Sequence, residues 1–129
     1  MTPLEHIQPP GQFRVKAPLS PAVRCGNLLW VSGIPAYDAE GRLAVGDFTA
    51  QMTQVMANIT GILKAAGADW SRVTKVNVFL TRREDFEEMN RLYAAHFPDG
   101  NYPARTTCIV CSLPRPDFLL EIECVAVLG

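Results

Sequence analysis

The hydrophobic patterning of this 129-residue chain predicts a mixed α/β (α+β) fold, one sheet with two helices on one of its faces. Three observations carry the prediction. Between residues 52 and 66, and again between 86 and 97, apolar residues recur at three- and four-residue steps, the stripe of an amphipathic helix. Residues 73–80 and 119–127 alternate instead, as strands do, and 103–107 reads as a further strand. Helical and strand segments interleave, so a single sheet face would bury both stripes.

The length predicts one domain, residues 1–129, with a core large enough to need no staples. Residues 1–17 are polar and proline-containing, which predicts a loosely held arm. Residues 19–25 are a weak strand candidate. Leu28–Ser32 is a stronger one, introduced by the turn signal Gly26-Asn27 and ended by Gly33 and Pro35. Tyr37–Gly41 reads as a loop or hairpin tip.

The first long helix begins near Asp47 or Thr49, both good N-caps. Met52, Val55, Met56, Ile59, Ile62, Leu63 and Ala66 form its stripe, and Gly67 is a natural stop. In the next strand Thr74, Val76, Val78 and Leu80 face one way, Lys75, Asn77 and Phe79 the other. Thr81 and Glu84 have capping-box spacing. They introduce a second helix over about 83–97, striped by Phe86, Met89, Tyr93 and Phe97. Asn90 lies beside that stripe, either as a loop clamp or as a polar group near a site.

Composition narrows the function. Twelve basic against thirteen acidic residues leave a net charge of −1, with no basic stripe for nucleic acid or an anionic membrane. No apolar run reaches a membrane-spanning length, and the start of the chain lacks the pattern of a secretion signal, so the expected location is cytoplasmic. The four cysteines are then expected as reduced thiols. Cys108 and Cys111 have C-x-x-C spacing without a second pair to complete a metal site, and are expected as buried small hydrophobes. His6 and His96 are too few for a histidine-based metal centre.

The chemistry-bearing residues are on the last two strands. Leu120, Ile122, Cys124, Ala126 and Leu128 share one face, Glu121 and Glu123 the other. Arg105 begins the preceding strand. An arginine and a carboxylate at a sheet rim form either an anion-binding, proton-transferring pair or an inter-strand salt bridge. With both helices on one face, the opposite face is expected to carry Lys75, Asn77, Phe79, Arg105, Thr107, Ile109, Cys111, Glu121 and Glu123. That half-apolar surface suits cover by further copies of the chain.

Taken in order, these motifs resemble the YjgF/RidA family of reactive-intermediate deaminases over about residues 17–127. The matching pieces are Val31–Pro35, Gln51 with Asn58-Ile59, Ala65–Gly67 and Val76–Leu80. Asp85-Phe86, Met89-Asn90, Tyr93 with Phe97, Pro103–Thr106 and Glu121–Glu123 complete the pattern. The resemblance implies a chorismate-mutase-like fold and a homotrimer with a central barrel and intersubunit clefts. It implies hydrolysis of enamines and imines such as 2-aminoacrylate and 2-iminopropanoate to a 2-keto acid and ammonia, with no cofactor or metal. Arg105 then matches the residue that binds the substrate carboxylate, and Glu121 the one that handles the attacking water. Asn90 matches a helix asparagine near the site, and Gly33 a backbone contact.

Two positions depart from the family pattern. Leu19 stands where the archetype has a pocket tyrosine, and Thr107 where it has a cleft cysteine. Residues 113–121 with Arg105–Thr107 resemble members that deaminate larger substrates such as 2-aminomuconate. Ala17–Leu19 and Cys108–Cys111 resemble an aminoacrylate-handling member instead. The alternative of another class is a non-catalytic carboxylate-binding or chaperone-like trimer. RNA cleavage, a third, is disfavoured by the charge.

Overall fold

The computed structural model describes residues 1–129. Its strands are β1 (Leu4–Ile7), β2 (Ala22–Cys25), β3 (Leu28–Ile34), β4 (Val73–Leu80), β5 (Ala104–Ile109) and β6 (Leu120–Val127). They form one sheet in the order β1-β2-β3-β6-β4-β5. All neighbours are antiparallel except β4 and β5, which run parallel. The helices are α1 (Phe48–Ala65) and α2 (Phe86–Ala94). Alternation along β6 buries Leu120, Ile122, Cys124 and Ala126 beneath the helices, as the pattern requires. The stripe of α1 meets them: Met52, Val55, Met56, Ile59, Ile62 and Leu63 are all buried. Each such side chain contributes about 1.5–3 kcal/mol by leaving water.

The ends of α1 follow its sequence. The Asp47 side chain accepts from the Ala50 amide at 3.0 Å, and Gly67 leaves the helix at φ +78°. Two amides on α1 brace the loops at this end of the sheet. Buried Gln51 donates to the carbonyls of Ala44 and Asp117 and accepts from the Leu119 amide. Asn58 donates to the carbonyls of Pro35 and Tyr37, while its own carbonyl receives Gln12.

Several expectations are corrected. The N-terminal arm contains β1, whose residues pair with β2 from Leu4↔Cys25 to Ile7↔Ala22. Strand β3 runs through Gly33, with an irregularity between Val31 and Ile34. A register shift between Val73 and Lys75 leaves Thr74 exposed and puts Val73 in the core instead. The Thr81/Glu84 capping box does not form. Arg82 makes a bidentate pair with buried Asp85 at 2.7 and 3.0 Å, and a short 3-10 turn at Arg83–Asp85 precedes a shorter α2. Phe86 is exposed, whereas Met89, Tyr93 and Phe97 are buried. Cys108 and Cys111 are exposed free thiols in this chain, not core residues; only Cys124 is buried.

The correction with most consequence concerns β5. Its parallel register pairs Arg105 with Val76, Thr107 with Val78 and Ile109 with Leu80. Paired residues share a face, so Arg105, Thr107 and Ile109 lie on the helix side, not on the open side with the glutamates. Ala104, Thr106 and Cys108 take the open side, where Lys75 Nζ donates to Thr106 Oγ1 at 3.0 Å. The sequence pattern of β5 is too polar for alternation to reveal which side faces inward. The open face carries Lys75, Asn77, Phe79, Glu121 and Glu123, extended across the sheet by exposed Trp30 and Leu28.

Candidate functional site

Glu121 and Glu123 point to the open face of β6 but have different surroundings. Glu123 accepts from Asn77 Nδ2 on β4 at 3.0 Å, a cross-strand tie. Glu121 has no hydrogen-bond or ion-pair partner and lines a cavity of about 440 Å³ at the end of β3. Burial, and then the neighbouring charge of Glu123, push its carboxyl up to about 7. Gly33 makes room for it: a Cβ at that position would lie 2.7 Å from Glu121 Oε1. Leu19, Gly33 and Glu121 therefore share one cavity, with Tyr37 and Phe118 on its walls.

Arg105 occupies a second, shallower cavity with Asn90, Tyr93 and Tyr102. Its guanidinium stands 4.9 Å from the centre of the Tyr93 ring and points Nη1 at Met89 Sδ, 3.7 Å away. No carboxylate pairs with it, so the inter-strand salt bridge is absent. Two polar atoms of this lining are buried without a hydrogen-bond partner, Asn90 Oδ1 and Tyr93 Oη, and so is Thr107 Oγ1, two residues along β5 on the same face. Unpaired buried polar groups are costly and uncommon in folded proteins. Two of them share the cavity of an arginine that has no acid beside it. Burial pushes the Tyr93 hydroxyl up to about 12, which keeps it a neutral donor.

The sequence-predicted residues thus separate into two groups. Gly33, Leu19 and Glu121 lie together, as do Asn90 and Arg105, with Thr107 on the same face of β5 but outside that cavity's lining. The groups face opposite sides of the sheet, and β5 and β6 are separated by β4, an offset of about 10 Å. Within one chain Arg105 and Glu121 cannot grip one small molecule. Sequence reasoning missed Tyr37, Phe118, Lys16 and Arg115 in the larger cavity. They are loop residues without periodicity, and only Asn58 and Gln51, inward amides on a helix face, hinted that loops were being held there.

Comparison with known proteins accords with this geometry. Residues 11–128 match the family model described as Endoribonuclease L-PSP. A RutC family protein of Pyrococcus horikoshii, PH0854, is 42% identical over 110 residues, covering 84% of this chain and 86% of its own. The crystal structure of RidA from an Antarctic Psychrobacter superposes with a TM-score of 0.89 at 34% identity, covering 96% of this chain and 99% of that one. That of Escherichia coli TdcF with bound serine gives 0.89 at 28% identity, covering 97% and 99%. Sequence and fold agree, and the chain belongs to the YjgF/RidA family.

Proposed function

We propose that the protein is a cofactor-free deaminase of imine and enamine carboxylates, working as a homotrimer whose sites lie between subunits. The observation that carries this reading is Arg105, an arginine with no acidic partner in a cavity it shares with the orphaned Asn90 Oδ1 and Tyr93 Oη. A planar carboxylate matches its fork, and Asn90 and Tyr93 line the same cavity with further polar atoms. Family membership and the serine bound to the similar TdcF favour a small ligand bearing a carboxylate. Because Arg105 and Glu121 face opposite sides of their own sheet, the reading assigns the carboxylate to one subunit and the water to another.

The reaction needs one group that takes and returns a proton. Glu121 removes a proton from water as its oxygen bonds to C2 of the imine. The C=N π electrons move to nitrogen, which is protonated. The carbinolamine's hydroxyl proton then passes through Glu121 to the amine nitrogen, the C–N bond breaks, ammonia departs and the 2-keto carbonyl forms. A carboxyl held at about 7 suits both directions of transfer near neutral pH, an effect typically worth ~10²–10⁴-fold. Gly33 leaves the space the carboxylate occupies.

The test is ammonia release from freshly generated 2-iminopropanoate and 2-aminoacrylate, with light scattering to weigh the assembly against the 14.2 kDa chain. Loss of turnover in Arg105→Lys and Glu121→Gln, with folds intact, supports the assignment. A stable monomer that turns over, or full activity in both variants, overturns the intersubunit assignment, and no ammonia release from either substrate favours a non-catalytic binder.

A further inference from the structure

One wall of the cavity beside Glu121 comes from the segment ahead of β2. Val15, Lys16, Ala17 and Leu19 line it together with Gly33 and Glu121. That wall is held by few bonds of its own. Between Phe13 and Leu19 the only backbone hydrogen bond is the local one from the Leu19 amide to the Ala17 carbonyl, at 2.8 Å. Arg14 and Lys16 are exposed and pair with no acid. Segments so sparsely bonded open locally at low free-energy cost. What places this one is therefore its two ends.

The C-terminal end is tied to β3. Ser32 donates its amide to the Pro21 carbonyl at 2.9 Å and its hydroxyl to the Ser20 carbonyl at 2.6 Å. The N-terminal end docks on α1. Gln12 Nε2 donates to the Asn58 carbonyl at 2.8 Å and lies over Gly61, where a Cβ would come within 2.5 Å of it. That approach requires a residue without a side chain. A glycine inside a helix is otherwise unfavourable relative to alanine, and no turn or positive φ accounts for this one. Phe13 continues the docking. Its ring lies against Gly41, where a Cβ would meet it at 2.5 Å, and its centre is 5.2 Å from that of Tyr37. Through Nδ2, Asn58 also holds the carbonyls of Pro35 and Tyr37, both cavity residues on the loop after β3. One helix residue thus sets that loop and the docked segment together.

We propose that Gln12 is a positioning residue: seated on Gly61 and bonded to Asn58, it latches residues 13–19 as a wall of the Glu121 cavity, and its release opens that wall. The latch stands on the chain's own contacts; that the cavity takes an imine rests on the proposed deaminase reading.

Two readouts test it. Trypsin cuts after Arg14 and Lys16 when the segment comes away, and mass spectrometry locates the cuts. In Gln12→Ala and in Gly61→Ala these cuts should be about threefold to tenfold faster than in the wild type, the worth of one hydrogen bond. The KM for 2-iminopropanoate should rise by a similar factor, with kcat within about twofold, because Glu121 and Arg105 are untouched. The double variant Gln12→Ala/Gly61→Ala should match the single variants, since both act through one contact. Gly61→Ala should keep its urea midpoint, alanine being the better helix former, which separates loss of the latch from damage to the fold. Unchanged cutting or unchanged KM in either single variant, or additive effects in the double variant, overturns the proposal. If the wild type hydrolyses no imine, the deaminase reading fails on its own, and the cutting rates of the three variants decide the latch.

Discussion

The opposite placement of Arg105 and Glu121 makes a quantitative prediction about mixed assemblies. Arg105 lies on the helix face of β5, beside Tyr93 at 4.9 Å, while Glu121 lies on the open face of β6 against Gly33. A site that uses both must take them from different subunits. Arg105→Lys and Glu121→Gln should each be inactive alone, yet complement when combined. In a cyclic assembly mixed at random from equal amounts, an interface works only if its arginine comes from the Glu121→Gln chain and its glutamate from the Arg105→Lys chain. That occurs at about a quarter of interfaces, so about a quarter of wild-type turnover should return. A control removes ambiguity about dosage. Wild type mixed equally with the Arg105→Lys/Glu121→Gln double variant should also give about a quarter if the site is intersubunit, and about half if it lies within one chain. The assay is ammonia release after co-refolding, with native mass spectrometry to show that mixed assemblies formed. Verified mixed assemblies with no activity above either parent would refute the reasoning.

Further outcomes follow from the geometry around Glu121 and Glu123. Its carboxyl is raised from 4.5 to about 7, so the folded state favours the protonated form; that stability is complete below about pH 4.5 and is lost as pH rises through 7. The shift corresponds to about 3 kcal/mol at most, reduced to about 1–2 by solvent at this partly exposed group, so melting curves should show Glu121→Gln gaining on the wild type between pH 5 and 8. The kcat/KM of the wild type should rise through the same window, and a flat pH profile would remove Glu121 as the base. Gly33→Ala would place a methyl 2.7 Å from Glu121 Oε1 at a position with ordinary backbone angles, so turnover should fall about tenfold or more while chemical denaturation changes by less than about 1 kcal/mol. Asn77→Ala removes the 3.0 Å bond to Glu123 and should cost about 1 kcal/mol of stability in urea titration, with Glu123→Gln keeping turnover.

What was legible in the sequence follows the strength of each local signal. Strand β6 alternates cleanly between aliphatic and acidic residues, so its faces could be assigned in advance and the structure agrees. The stripe of α1 and its Asp47 cap were equally plain. Strand β5 reads Ala-Arg-Thr-Thr-Cys-Ile, half polar on both sides, and the face of Arg105 was misjudged because nothing in that run distinguishes inside from outside. The capping box failed for a different reason: Arg82 reaches Asp85 bidentately, a stronger local interaction than a Thr81 cap. Strand β1 was missed because Leu-Glu-His-Ile is short and buries only Ile7, its order coming from pairing with β2. The two clusters of site residues could be named from family motifs. Their separation across the sheet could not, because it depends on the register of a parallel pair.

The division of labour between scaffold and loops bears on how substrate range is set. Gln51 and Asn58 project from the rigid α1 and hold backbone atoms of the loops, not their side chains. Backbone positions are therefore fixed whatever residues the loops display. Arg115, Tyr37 and Phe118 bring loop side chains to the cavity, while Glu121 and Gly33, which line it too, belong to the sheet. Substitution at 115 or 37 exchanges one exposed or half-buried side chain and leaves the core cluster under α1 intact. The reacting end has no such latitude. A methyl at residue 33 reaches the carboxylate, and a shift in β6 by one residue would turn Glu121 into the core. The sheet thus fixes Glu121 and Gly33, while two braced loops carry the exchangeable side chains of the same cavity.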